Sequence, residues 1–206
     1  MLTGGNLFVI FGPSGTGKTT LVKNILNSEA GIEVSISYTT RDKRPDEREG
    51  KDYFFVSIER FKQLIAENAF LEYAEVYGNY YGTLKEYVTT RLQQGKDIIL
   101  EIDWQGATQI KRLQKNAILI GLVPPSLETL TRRLETRGQD SAETIALRLR
   151  SAVDDSMKAS QADYIVVSEN QDQVLQDTLS IIRAERLTVR QQIATLPLFS
   201  YLKKSQ

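Results

Sequence analysis

Apolar residues fall in short blocks along this chain, and the blocks set the elements it predicts. Residues 7–11, Leu-Phe-Val-Ile-Phe, form a continuous apolar run that enters a glycine-rich turn. That is the pattern of a strand buried on both faces. Residues 98–102 and 117–123 repeat it, and Pro124-Pro125 stop the second of these. Residues 164–167 give a fourth short strand. Helical spacing is predicted over 19–26, 58–68, 84–94, 126–136 and 140–158, with a long polar helix following to about 193. Gly95 and Gly138 read as helix stops, Ser126 as an N-cap, and Asp140-x-x-Glu143 as a capping box. Residues 196–206 carry no predicted element.

Strands alternating with helices imply an α/β fold, a parallel sheet flanked by helices. Residues 35–86 interrupt that rhythm with short strand-like runs, aromatics and turns, and read as an inserted mixed α/β segment. Arginines from Arg132 to Arg150 make a basic helical pair, read as a lid over residues 127–158. The predicted core is then 1–34, 87–126 and 159–206 of a single domain.

Composition narrows the chemistry. The 206 residues carry 26 basic and 26 acidic side chains, with no Cys and no His. A net charge of zero gives no global field for nucleic acid or an anionic membrane. Disulfides, thiolate metal sites and imidazole acid/base chemistry are excluded. Residues 1–6 lack a basic, apolar leader, and no apolar run approaches the roughly 20 residues of a membrane span. A cytoplasmic location is expected. Oligomeric state is left open; a homo-oligomer is allowed but not predicted.

Gly12-Pro-Ser14-Gly15-Thr16-Gly17-Lys18-Thr19 fits G-x-x-x-x-G-K-[ST], with a buried strand before it and a helix after. Such a loop turns successive N–H groups inward and places a helix N-terminus against phosphates. Lys18 can reach the β- and γ-phosphates, and the Thr19 hydroxyl can ligate Mg²⁺. At the end of the next buried strand stand Glu101 and Asp103. A carboxylate there lies beside phosphates and Mg²⁺ in P-loop proteins. Asp103-Trp104-Gln105-Gly106 also matches the D-x-x-G of GTPases, but no N-K-x-D element follows, so a GTPase is disfavoured.

Several further stretches resemble the guanylate kinase family in order and spacing. They are Ser37-Tyr38-Thr39-Thr40-Arg41, Arg44-Pro45-Asp46-Glu47, Gly50-Lys51-Asp52-Tyr53, Glu72, and Gly78-Asn79-Tyr80-Tyr81-Gly82-Thr83. Asp103-Trp104-Gln105-Gly106, Pro124-Pro125-Ser126 and Arg133-Leu134-Glu135-x-Arg137-Gly138 continue the likeness, which spans about 7–167. The resemblance implies a core, a GMP-binding subdomain and a mobile lid. It also implies transfer of the γ-phosphoryl of ATP to GMP or dGMP with Mg²⁺. It assigns Arg41, Arg44, Tyr53 and Tyr81 to the GMP phosphate. Ser37, Glu72 and Thr83 go to guanine, with Asp103 nearby. Arg133, Arg137 and Arg148 become lid arginines.

Residue chemistry fits those roles. Guanine presents N1–H and a 2-amino group side by side, and one carboxylate such as Glu72 can accept both. A phosphate monoester suits arginine forks and phenol donors. Tyr80, beside Tyr81, reads as a core aromatic. Two other functions stay open: a phosphopeptide-binding module of the same family, and a kinase for another small phosphorylated acceptor. Glu101 stands where the family commonly has Asp. Ser168-Glu169 stands where Asn-Asp is common, so an amide contact to adenine is not expected. Asp46 replaces a frequent Gly.

Overall fold

β1 (Leu7–Phe11) divides its side chains between two cores. Phe8 and Ile10 enter one, while Leu7, Val9 and Phe11 enter the other. This period-two division explains why the strand reads as an unbroken apolar run. The computed structural model describes residues 4–136 and 142–196, with backbone alone for 142–145, 147 and 148.

Four strands flank β1 in one parallel sheet. They are β2 (Ile32–Val34), β7 (Asp97–Glu101), β8 (Ile118–Val123) and β9 (Tyr164–Val167), in the order β2-β7-β1-β8-β9. On one face pack α1 (Lys18–Ser28) and α7 (Gln171–Arg186), through Leu21, Val22, Ile25, Val174, Leu179 and Ile182. On the other pack α3 (Lys85–Gln93) and α4 (Trp104–Leu113), through Val88, Leu92, Ala107 and Ile110. The predicted α/β class and all four predicted strands are found, and β2 makes a fifth. β2 was not predicted; three residues at a sheet edge are too few to show a pattern.

A second sheet forms from β3 (Tyr38–Thr39), β4 (Phe54–Phe55), β5 (Phe70–Val76) and β6 (Asn79–Leu84), ordered β4-β3-β6-β5. β5 and β6 make an antiparallel hairpin, and β3 pairs antiparallel to β6 and parallel to β4. α2 (Ile58–Ala66), N-capped by Ser57, lays Phe61 and Leu64 onto this sheet. Tyr80 stacks on Phe61 at 5.4 Å, a packing role as read from the sequence. α4 ties the two sheets together: the Gln109 amide donates to Tyr73 O at 2.8 Å.

α5 (Leu127–Thr136) starts at Ser126, whose hydroxyl accepts the Thr129 N–H, as its N-cap reading required. α6 (Ala142–Lys158) packs on α5 through Ala152 and Leu149 against Leu130 and Leu134. The capping box at Asp140 lies outside the described residues. The predicted long final helix is two helices, α7 and α8 (Val189–Thr195). Thr188 breaks it: its backbone is extended (ψ 145°) and its hydroxyl donates back to Glu185 O at 2.9 Å.

Candidate active site

The loop between β1 and α1 is shaped by close approach. At Gly12, φ is +148° and a Cβ would sit 2.1 Å from Leu122 O, so only glycine fits beside β8. Gly15 and Gly17 also take positive φ, and Gly17 sits at the N-cap of α1. Leu130 and Leu134 of α5 lie against Gly15. Thr16 is buried and its hydroxyl donates to Pro13 O at 2.9 Å, which closes the turn around Ser14. Lys18 curls back over the loop, donating from Nζ to Gly12 O (2.7 Å) and Pro13 O (2.9 Å).

The Thr19 hydroxyl donates to Glu101 Oε1 at 2.6 Å, so strand β7 brings its terminal carboxylate to the first turn of α1. A hydroxyl and a carboxylate oxygen on adjoining elements suit a small hard cation that takes its remaining ligands from phosphate and water. Among the described residues no group of three or more acidic side chains forms a separate metal cage.

The second sheet gathers the other predicted residues into two groups. In the first, Glu72 on β5 and Thr83 on β6 are register partners, and the Thr83 hydroxyl donates to Glu72 Oε1 at 2.6 Å. Both are buried, and so is Ser37 at the start of β3. Gly106 lies over the carboxylate: a Cβ there would stand 2.5 Å from Glu72 Oε2. Asp103 N-caps α4, accepting the Gly106 N–H at 3.0 Å, so D-x-x-G here marks a helix start. Burial pushes the Glu72 carboxyl up to about 7, with the Asp103 charge adding to the rise and the Thr83 hydroxyl opposing it.

In the second group, Tyr53 and Tyr81 rings meet edge to face at 6.0 Å, and the Arg41 guanidinium lies 5.5 Å over the Tyr53 ring. Glu47 accepts from Arg41 Nη2 at 2.6 Å and from the Arg44 N–H at 2.9 Å. Burial works against the charged form of Glu47, yet these donors hold its carboxyl below the usual range. Burial raises the Tyr53 phenol to about 12, and the Glu101 charge is the next cause. Tyr53 therefore stays protonated, and it lies within electrostatic reach of the carboxylate beside Thr19.

Three predicted residues fall differently. Arg133 on α5 reaches the end of β9, donating to Ser168 Oγ (2.9 Å) and Glu169 O (3.3 Å). Arg137 lies outside the described residues, and of Arg148 only the α6 backbone is described. Ser168 itself gains a partner set the sequence did not show, because its hydroxyl also donates to Thr16 O at 2.7 Å. It thus joins α5 to the glycine loop. That junction borders a cleft of about 550 Å³ lined by Gly15, Gly17, Asn24, Arg132 and Gln171 among others. Two acidic residues beside the predicted ones were given no role from the sequence: Glu47, quoted only within a motif, and Asp155. Asp155, half-buried on α6, has its carboxyl pushed up to about 6, by burial first, with the Lys18 charge opposing. Its signal was absent because one acidic residue in a polar helix does not stand out.

A strand, a glycine loop with an invaginated lysine and a helix, set in a parallel sheet with a carboxylate beside the loop threonine, define a P-loop nucleotide-binding α/β protein. The sequence model of the family described as guanylate kinase matches residues 4–185. The chain is similar to a guanylate kinase of Psychrobacter arcticus, 47% identical over 91% of this chain and 90% of that protein. It is similar to another of Hahella chejuensis, 48% identical over 89% and 88%. Among solved structures it resembles guanylate kinase from Anaplasma phagocytophilum, with a TM-score of 0.77, 30% identity, and coverage of 92% of this chain and 89% of that one. The chain belongs to the guanylate kinase family.

Proposed function

We propose that this protein transfers the γ-phosphoryl of ATP to GMP or dGMP, giving ADP and the nucleoside diphosphate. The observation that carries the reading is the buried Glu72–Thr83 pair, at 2.6 Å, beneath Gly106, in a chain that also carries a complete phosphate loop. A buried carboxylate accepts both guanine donors at once, and adenine offers no such pair. A site built this way rejects the wrong base because its polar groups are left unpaired.

In this reading residues 35–86 hold the acceptor, 127–158 form the lid, and 1–34, 87–126 and 159–206 the core. Ser37, Glu72 and Thr83, with Asp103, take the base. Arg41, Arg44, Tyr53 and Tyr81 take its phosphate. Gly12, Ser14, Gly15, Thr16, Gly17, Lys18 and Thr19 cradle the ATP phosphates. Thr19 and Glu101 hold the Mg²⁺ that arrives with ATP, which supplies charge neutralisation on the phosphates.

The acceptor atom is a phosphate oxygen, anionic at neutral pH, so no general base is required and the absence of His costs nothing. Lys18 must leave the loop carbonyls that it now contacts and turn its ammonium to the β- and γ-phosphates. Arg133, Arg137 and Arg148 neutralise charge as it spreads over the transferring group. Catalysis is then in-line placement and electrostatic stabilisation. The protein works in the cytoplasm on small nucleotides, with no nucleic acid or membrane partner. No helix of the described residues is long and apolar enough to cross a membrane.

An ADP-release assay with Mg·ATP against GMP, AMP, CMP and UMP tests the reading. Turnover with GMP alone is expected. Turnover with another monophosphate, or with none from folded protein, would overturn it.

A further inference from the structure

We propose that Glu47 is a positioning residue that presets Arg41 and the acceptor loop for a phosphate dianion before ligand arrives. The inference rests on the reading of Arg41 and Arg44 as the phosphate-binding pair.

Residues 40–53 form no helix and no strand of their own. Such a segment holds an arginine in one place only if something fixes both its backbone and its side chain. Glu47 does both. One carboxylate oxygen takes the Arg41 Nη2 at 2.6 Å, and the other takes the Arg44 backbone N–H at 2.9 Å. The Arg44 guanidinium stands 4.0 Å from the same carboxylate. The rest of the Arg41 fork is fixed as well. Its Nη1 donates to Asp42 O at 2.7 Å, its backbone N–H donates to Thr39 Oγ1 at 3.1 Å, and its plane lies over the Tyr53 and Phe55 rings.

The side chain of Glu47 is 14% exposed and that of Arg41 18%, so the pair is largely withdrawn from water. A carboxylate there repels an incoming phosphate. It is tolerable because it lies between two cations, leaving a net charge of +1 for the three side chains. Its contribution is order: the rotamer freedom of Arg41 is lost on folding and not on binding. With each oxygen already accepting from the loop, Glu47 acts on ligand through Arg41 and the Arg44 backbone and not by direct contact.

The test is calorimetric titration of GMP and of guanosine into wild type, Glu47→Ala, Glu47→Gln and Arg41→Ala. Guanosine has the base and lacks the phosphate. Glu47→Ala should weaken GMP about tenfold, the size of one charge-assisted hydrogen bond, and leave guanosine unchanged. Glu47→Gln keeps the shape but can serve only one donor as acceptor, so its loss should be intermediate. Tighter GMP binding by Glu47→Gln would show that Glu47 acts as a repelling charge only, and would overturn the inference. So would equal losses for GMP and guanosine in both Glu47 variants. Wild-type GMP affinity in Glu47→Ala beside a loss in Arg41→Ala overturns this inference alone. Wild-type GMP affinity in Arg41→Ala overturns the phosphate reading beneath it as well.

Discussion

Glu72, proposed to read the base, shows what burial does to a carboxylate. Its pKa rises to about 7 in the fold against 4.5 for the free side chain. Between those values the unfolded chain gives up a proton that the folded chain keeps. Stability therefore falls as pH rises through that window and levels above about 7, by roughly 3 kcal/mol at most. In the proposed reading guanine pairs with the ionised form, so binding would release the proton. Guanosine, which has no phosphate to titrate, should bind roughly tenfold more weakly at a pH of about 6 than at about 8. Glu72→Gln should bind weakly at both and lose the slope; a wild-type slope in that variant would remove Glu72 from the site. At Ser168 the hydroxyl joins Arg133 to Thr16 O. Ser168→Ala should lower kcat or raise the KM for ATP several-fold while leaving the KM for GMP unchanged, measured by steady-state kinetics. The residues of the glycine loop were legible because their spacing is rigid in sequence. Ser168 was legible only as a missing amide, because its true partners stand 35 and 152 positions away.

Elements were legible in proportion to their burial on two faces. β1, β7 and β8 announce themselves as apolar runs, since both of their faces enter cores. α4 did not, because only Gly106, Ala107 and Ile110 are buried along it and its opening was read as a nucleotide motif. β3, with two residues, cannot display alternation at all. Yet α4 bears on the proposed base site, since it delivers Gly106 against Glu72 and grips β5 through Gln109. Gly106→Ala places a methyl 2.5 Å from Glu72 Oε2, with the carboxylate already tethered by Thr83. The variant should raise the KM for GMP at least about tenfold through that overpacking and leave the KM for ATP near wild type. An unchanged KM for GMP would mean that the carboxylate yields freely and is not preset.

At the scale of the whole molecule, one polar cluster locks the last long helix onto the sheet. Asp97 on β7 is 4% exposed and accepts the Asn6 N–H and Arg186 Nε, each at 2.6 Å. Arg186 also meets Glu29 at 2.8 Å and Ala30 O at 3.0 Å, closing α7 over the end of α1. Arg186→Ala would leave a buried carboxylate without its cation and should cost about 3 kcal/mol in denaturant unfolding. The activity of the molecules that remain folded should be unchanged. None of this network was visible in the sequence, because ion-pair partners separated by 157 and 89 positions leave no local pattern. The glycine loop and the inserted second sheet were visible, because each is nearly contiguous in the chain. The central claim is that these two parts pass a phosphoryl group between them, and it is tested most directly by following the label of γ-labelled ATP. With GMP present, wild-type protein should place the label in GDP, and Lys18→Ala should leave it in ATP while still binding GMP. Label that appears only as inorganic phosphate, or stays in ATP with folded wild-type protein, would contradict the account.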